Sequence, residues 1–276
     1  MTNEKWLIVG RKITKRIPIL IPILRPLKAK LFPPPQPILL FSGWGMTTTH
    51  QLPWIDDKYF QQTSESIKTI EFDKGLNIDS TNVDILLWRH WIASYAVRHA
   101  IEFAKTDEHN FVECGVGAGV SAFFAIKEIQ RHKDIKKFSM HLYDSWSSMK
   151  KEHLLESESS FAGNYGLHSL ETTKNNLSAF NEFLVYHPGY IPESLSMSPQ
   201  SPDSIVYLHV DLNSAKPTEN TLEFFYPRLI SGGVILFDDY GWVDYDDTRI
   251  AINNFFNNKP GIILPLPTGQ AIYYKP

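Results

Sequence analysis

Five carboxylates in this chain each follow directly on an apolar run. Glu113 follows Phe111-Val112, Asp144 follows Tyr143, Asp211 follows Val210, and Asp238-Asp239 follow Phe237. Parallel strands end on one edge of a sheet, so acids at their ends converge. One such acid arises by chance; five point to a shared site. The chemistry open to them is of two kinds. Asp144 can accept hydrogen bonds from two hydroxyls of a ribose, or cap the helix that follows. Asp211 with Asp238 and Asp239 is a different constellation. Three carboxylates brought together repel unless a cation lies between them. A hard divalent ion such as Mg2+ prefers oxygen ligands and keeps positions for a substrate's oxygens. The plainer alternative has Asp239 capping the next turn, with only Asp238 facing the cleft.

The first acid opens a glycine run, Glu113-Cys114-Gly115-Val116-Gly117-Ala118-Gly119-Val120-Ser121. A chain turning sharply from strand to helix needs positive φ or missing side chains. The helix then points its free N–H groups at whatever lies over the loop. A purely structural turn would look the same. The dinucleotide fingerprint G-x-G-x-x-G/A is met at Gly115 and Gly117 but fails at Val120. The pattern that fits is E-x-G-x-G-x-G over Glu113, Gly115, Gly117 and Gly119. It resembles motif I of class I S-adenosylmethionine (SAM) methyltransferases. That resemblance implies a SAM site formed by Glu113, Gly115, Gly117, Gly119 and Ser121, with Asp144 on the ribose.

A narrower resemblance rests on Leu208-His209-Val210-Asp211-Leu212-Asn213, then Thr218, Leu222 and Tyr226-Pro227-Arg228-Leu229, then Gly232-Gly233 and Asp238-Asp239-Tyr240-Gly241. This set is similar to the macrocin O-methyltransferase family, over about residues 82–275. Those enzymes methylate sugar hydroxyls of macrolide and aminocoumarin antibiotics with SAM and magnesium. The resemblance implies a metal held by Asp211, Asp238 and Asp239, and it sets Gly189 to Leu195 near the adenine. It also shows a departure. Where the family has a second Asp as general base, this chain has Asn213, and an amide cannot take a proton at neutral pH. Either the metal alone lowers the hydroxyl's pKa, or a neighbour such as His209, Lys216 or Tyr240 helps. The expected catalytic set is Asp211, Asn213, Asp238 and Asp239. Alternation along the strand points His209 to the core. Two other functions stay open: a nucleotide-dependent oxidoreductase, and a SAM-binding protein without catalysis.

The elements that must position these residues alternate. Strands are predicted at 110–113, 137–143, 183–186, 204–210, 234–237, 261–264 and 271–274. Helices are predicted at 82–105, 119–131, 170–180, 217–229 and 248–257, from apolar residues at helical spacing. Ser231-Gly232-Gly233 is expected to end the fourth of these. The implied fold is α/β: a Rossmann-like methyltransferase fold with a mostly parallel seven-stranded sheet covered on both faces. Arg89, in the first helix, can pair with a carboxylate such as that of the cofactor, but is expected as a solvated surface group. Gln270, before the last strand, is expected to stay out of the cleft.

Residues 82–276 are thus read as the catalytic domain and 1–81 as an N-terminal extension or cap. Residues 1–30 hold eight Lys/Arg and one acid, and the remainder carries a balance of −10. The net charge of −3 gives no overall signal for nucleic acid. Phe32-Pro33-Pro34-Pro35-Gln36-Pro37 reads as a polyproline spacer. The basic arm packs on the domain or on a second subunit, or lies on an anionic membrane surface. The apolar run Ile17–Leu24 is far short of the ~20 residues of a membrane span. The one cysteine, Cys114, suits a reducing cytoplasm, with peripheral contact at the inner membrane surface as the variant. A small-molecule or glycan substrate and a homo-oligomer complete the expectations.

Overall fold

Seven strands make one sheet: β1 (His109–Cys114), β2 (Phe138–Asp144), β3 (Leu184–Pro188), β4 (Ile205–Val210), β5 (Leu229–Phe237), β6 (Ile263–Pro265) and β7 (Ala271–Tyr274). Their spatial order is β3-β2-β1-β4-β5-β7-β6. In this computed structural model β1 to β5 pair in parallel, and β7 pairs antiparallel with β5 and β6. Residues 51–69, 86–135, 137–197 and 200–276 are described. The basic arm and the proline run of the expected extension lie outside the described residues.

Register explains the convergence of the acids. Cys114 stands opposite Tyr143 on β2 and Val210 on β4, and Val210 stands opposite Phe237 on β5. The next residue along each strand is therefore Gly115, Asp144, Asp211 and Asp238, at one edge. The central strands are largely buried, β4 over its whole length, as a sheet covered on both faces requires.

Helices α1 (Lys58–Thr69), α2 (Leu87–Phe103) and α3 (Val120–Arg131) lie over one face. Phe60, Ile67, Ala96, Val97, Phe124 and Ile126 share a core there with Phe111 and Tyr207. Helices α4 (Leu170–Asn176) and α5 (Glu193–Met197) flank β3 in sequence. Helices α6 (Ala215–Phe225) and α7 (Asp246–Phe256) cover the other face, where Leu222, Phe225 and Ile252 pack on Leu208 and Ile235. Trp54 and Phe60 are core residues of the unit 53–276, so residues 53–69 pack with the sheet although they precede the expected boundary at 82. Asp57 fastens this segment through Arg98 and Arg131, at 3.0 and 2.8 Å.

Several expected boundaries shift, most of all around the fourth predicted helix. The helix expected over 217–229 ends at Phe225, and β5 begins at Leu229. Ser231-Gly232-Gly233 thus lies within the strand instead of ending the helix. The glycine there answers a packing need: a Cβ on Gly232 would lie 2.4 Å from the Phe103 carbonyl oxygen at the end of α2. The same helix starts at Ala215, two residues early. Glu158, from the loop after β2, accepts the Ala215 N–H at 2.7 Å and the Leu155 N–H at 3.0 Å. A buried carboxylate from elsewhere thereby satisfies a helix N-terminus whose own Ser214 makes no cap.

Candidate functional site

The turn after β1 is held from below and open above. Gly115, at φ +88°, donates its N–H to Tyr143 O at 2.9 Å, and Asp211 N–H donates to Cys114 O at 2.8 Å. A Cβ on Gly115 would lie 1.6 Å from the Asp211 carbonyl oxygen. The glycine turn and the end of β4 are therefore in backbone contact. Gly117, at φ +52°, is the converse case: a Cβ there would meet nothing within 4 Å. Its bare face opens into the cleft. The turn's carbonyls are tied down by α4, with Thr173 Oγ1 on Gly117 O at 2.6 Å and Asn176 Nδ2 on Ala118 O at 3.0 Å.

Asp144 takes a different first partner from the expected ribose. Its Oδ2 accepts the N–H groups of Val116 and Gly117 at 2.7 and 2.9 Å, and its Oδ1 accepts that of Trp146 at 2.6 Å. It fixes the glycine turn by two hydrogen bonds and its own loop by a third, and keeps a lone pair on Oδ1 for a hydroxyl. Buried Glu113 accepts from Ser121 Oγ. Glu113 and Gly119 lie behind the cleft wall, Gly119 against Leu177 and Thr173. Gly115, Gly117, Ser121, Asp144, Asp211, Asn213, Asp238 and Asp239 line one cleft of about 940 Å³.

The acid cluster is locked by Asn213. Its backbone sits in the left-handed region at φ +55°, which Asn tolerates better than most residues. From there its N–H donates to Asp239 Oδ2 at 3.0 Å and its Nδ2 to Asp211 Oδ1 at 3.1 Å. Burial raises the pKa of both carboxyls. Asp211 is partly pulled back by His209 and Arg89, while its charge pushes Asp239 further up.

Asp238 is surrounded differently. Its Oδ2 pairs with Arg89, and its Oδ1 accepts Gln270 Nε2 at 2.7 Å. Arg89 also reaches Asp238 O at 3.3 Å and Thr268 O at 3.4 Å, with its guanidinium 5.0 Å from the centre of the Trp242 ring. The expectations for Arg89 and Gln270 are thus corrected. The first turn of α2 lies against the ends of β4 and β5, so Arg89 meets the acids and not solvent. The turn between β6 and β7 folds inward and buries Gln270.

His209 is corrected too. It does point inward, but the inward side at the end of β4 is the cleft floor. It lies 3.7 Å from Glu113 Oε1 and 3.5 Å from Asp238 Oδ1, and neither ring nitrogen has a hydrogen-bond partner. Lys216 and Tyr240 are turned elsewhere, to Leu154 O at 3.2 Å and Asn253 Oδ1 at 2.8 Å. The Tyr165 and Tyr245 hydroxyls bond each other at 2.6 Å in the lining of the same cleft. Burial and the charges of Asp239 and Asp211 hold both phenols above their ordinary pKa. No pattern in the sequence pointed to these two tyrosines or to Trp242, because each comes from an irregular loop.

Residues 112–240 match the family model for a methyltransferase domain. Over that stretch, a little under half of its length, the chain is similar to methyltransferases. Among solved structures, the O-methyltransferase NovP is similar at a TM-score of 0.61 and 18% identity, over 68% of this chain and 80% of that one. The calicheamicin methyltransferase CalS11 is similar at 0.53 and 16%, over 85% and 98%. No curated protein matches the chain in sequence. Domain and fold together make this a SAM-dependent methyltransferase, and the oxidoreductase alternative falls away. The open face of Gly117 and the bonded, rigid turn around it fit a donor lying against bare backbone. No helix among the described residues is long and apolar enough to cross a membrane.

Proposed function

We propose that this enzyme transfers the methyl group of SAM to a hydroxyl of a sugar or glycan, with a divalent cation at the acid cluster. The contact between Gly115 and the Asp211 backbone carries the reading, because it joins donor turn and acid cluster in one cleft. Methyl transfer is an in-line displacement, so catalysis rests mainly on positioning two reactants. Gly115, Gly117, Ser121 and Asp144 would hold the donor. Asp211, Asp238 and Asp239 offer hard oxygen donors; burial raises the pKa of Asp211 and Asp239, the charge of Asp211 adds to it for Asp239, and a cation beside them would oppose both effects. When bound, such an ion would lower the pKa of an acceptor hydroxyl. Asn213 would hold two of the carboxylates in place and take no proton.

A sugar acceptor is supported by the rim. Trp242, half exposed over Arg89, and the Tyr165–Tyr245 pair offer ring faces beside the acids, with hydroxyls for a polyol's edge. The test is turnover of labelled SAM with a panel of nucleotide sugars and surface polysaccharides. We expect transfer to at least one sugar, a loss of 100-fold or more in Asp238→Ala, and inhibition by excess chelator. Activity that persists in chelator would remove the ion from the mechanism. SAM bound tightly with no sugar methylated would favour a binding protein of the same fold.

A further inference from the structure

The cation site proposed above need not use three acids. The donor atoms that lie together are those of His209, Asp211 and Asp238, all within 4.8 Å of one another. Asp239 is not one of that group, and its Oδ2 already accepts the Asn213 N–H. His209 is 2% exposed, lines the cleft, and leaves both ring nitrogens without a hydrogen bond. A buried imidazole in that state is costly, since each unpaired polar atom forfeits its hydration. Binding an ion through Nε2 removes that cost. Asp238 can serve the same ion through Oδ1, the oxygen 3.5 Å from His209 Nε2, because Arg89 occupies Oδ2 and Gln270 Nε2 takes one of the two lone pairs on Oδ1.

We propose that His209, Asp211 and Asp238 form a one-histidine, two-carboxylate metal site, with Asp239 outside the inner ligand set. The inference rests on the metal-assisted reading above and changes its ligands. It has a consequence for the ion. An all-oxygen site suits Mg2+, whereas an imidazole ligand moves preference toward later divalent ions. The site should therefore favour first-row transition ions over Mg2+, with Mn2+ the weakest-held of them and the one whose spectrum reports its ligands.

The test is spectroscopic and needs no substrate. Full-length protein is stripped with chelator and titrated with Mn2+, and bound ion is read by electron paramagnetic resonance with spin-echo detection of coupled nitrogen. We expect one bound Mn2+, held at least tenfold more tightly than Mg2+, with modulation from a directly bound imidazole nitrogen. In His209→Gln that modulation should vanish and Mn2+ affinity fall at least tenfold. In Asp239→Asn both should persist. Bound Mn2+ without nitrogen coupling, loss of binding in Asp239→Asn, or no bound ion would overturn the assignment. Should His209→Gln fail to fold, the wild-type spectrum and Asp239→Asn decide alone. Sugar methylation by an enzyme whose ion shows only oxygen ligands would sink this site and leave the proposed function standing. A nitrogen-coupled ion with no methyl transfer would do the reverse.

Discussion

Asn213 is the residue at which the sequence departs from its resemblance, and its geometry gives the departure a structural role. One backbone and one side-chain donor hold two like-charged groups at fixed positions. A hydrogen bond to a charged acceptor contributes about 1.5–3 kcal/mol, and alanine in the left-handed region costs roughly 1–2 kcal/mol. Asn213→Ala should therefore lower the melting temperature and turnover together. Its SAM affinity, measured by calorimetry, should stay within twofold, because the donor turn is held by Asp144 and α4. Much of this site was legible at the residue scale. An acid following an apolar run names its own place at a strand end. Arg89, His209 and Gln270 were misjudged because their neighbours are distant in sequence, and periodicity reports only which way a side chain points. Glu158 was hidden similarly: a run of Glu and Ser reads as solvated loop until its helix is in place.

At the scale of elements, β1, β4 and the glycine turn from β1 into α3 carry the design. Strands were legible because a sheet buried on both faces demands continuous apolar runs. The end of α6 was not, because glycines read as a stop signal can equally admit a neighbouring backbone. A testable feature of the β2–β3 pair is its histidines. His141 Nδ1 lies 3.0 Å from His187 Nε2, Ser139 Oγ lies 2.9 Å from His141 Nε2, and Tyr143 stacks on His187 with centroids 4.0 Å apart. Burial lowers both histidines to about 4. Unfolded histidines titrate near 6.5. Between those values the unfolded chain binds protons that the fold refuses, so stability falls as pH drops from about 6.5 toward 4. We expect melting temperature to decline over that window. His187→Phe should be less stable at pH 7 but show a shallower decline; an equal slope would show that other groups set the acid limb.

At the scale of the molecule, the sheet brings two chemistries to one edge: bare backbone for a donor, and buried oxygens around Arg89 and His209. The fold class was legible from the alternation of elements, and residues 53–69 were the exception. Their aromatic residues, Trp54 and Phe60, have no period of their own and find partners only in α2 and α3, where Phe60 meets Trp91 and Phe124. The central claim is that SAM lies on the glycine turn inside this cleft. Equilibrium binding of labelled SAM to the wild type and to Gly117→Ala tests it most directly. The added methyl meets no protein atom and costs the fold only about 1–2 kcal/mol of backbone strain. We therefore predict a folded variant that binds SAM at least tenfold more weakly than the wild type. Equal affinity in the two proteins, or no SAM binding by the wild type, would contradict the account.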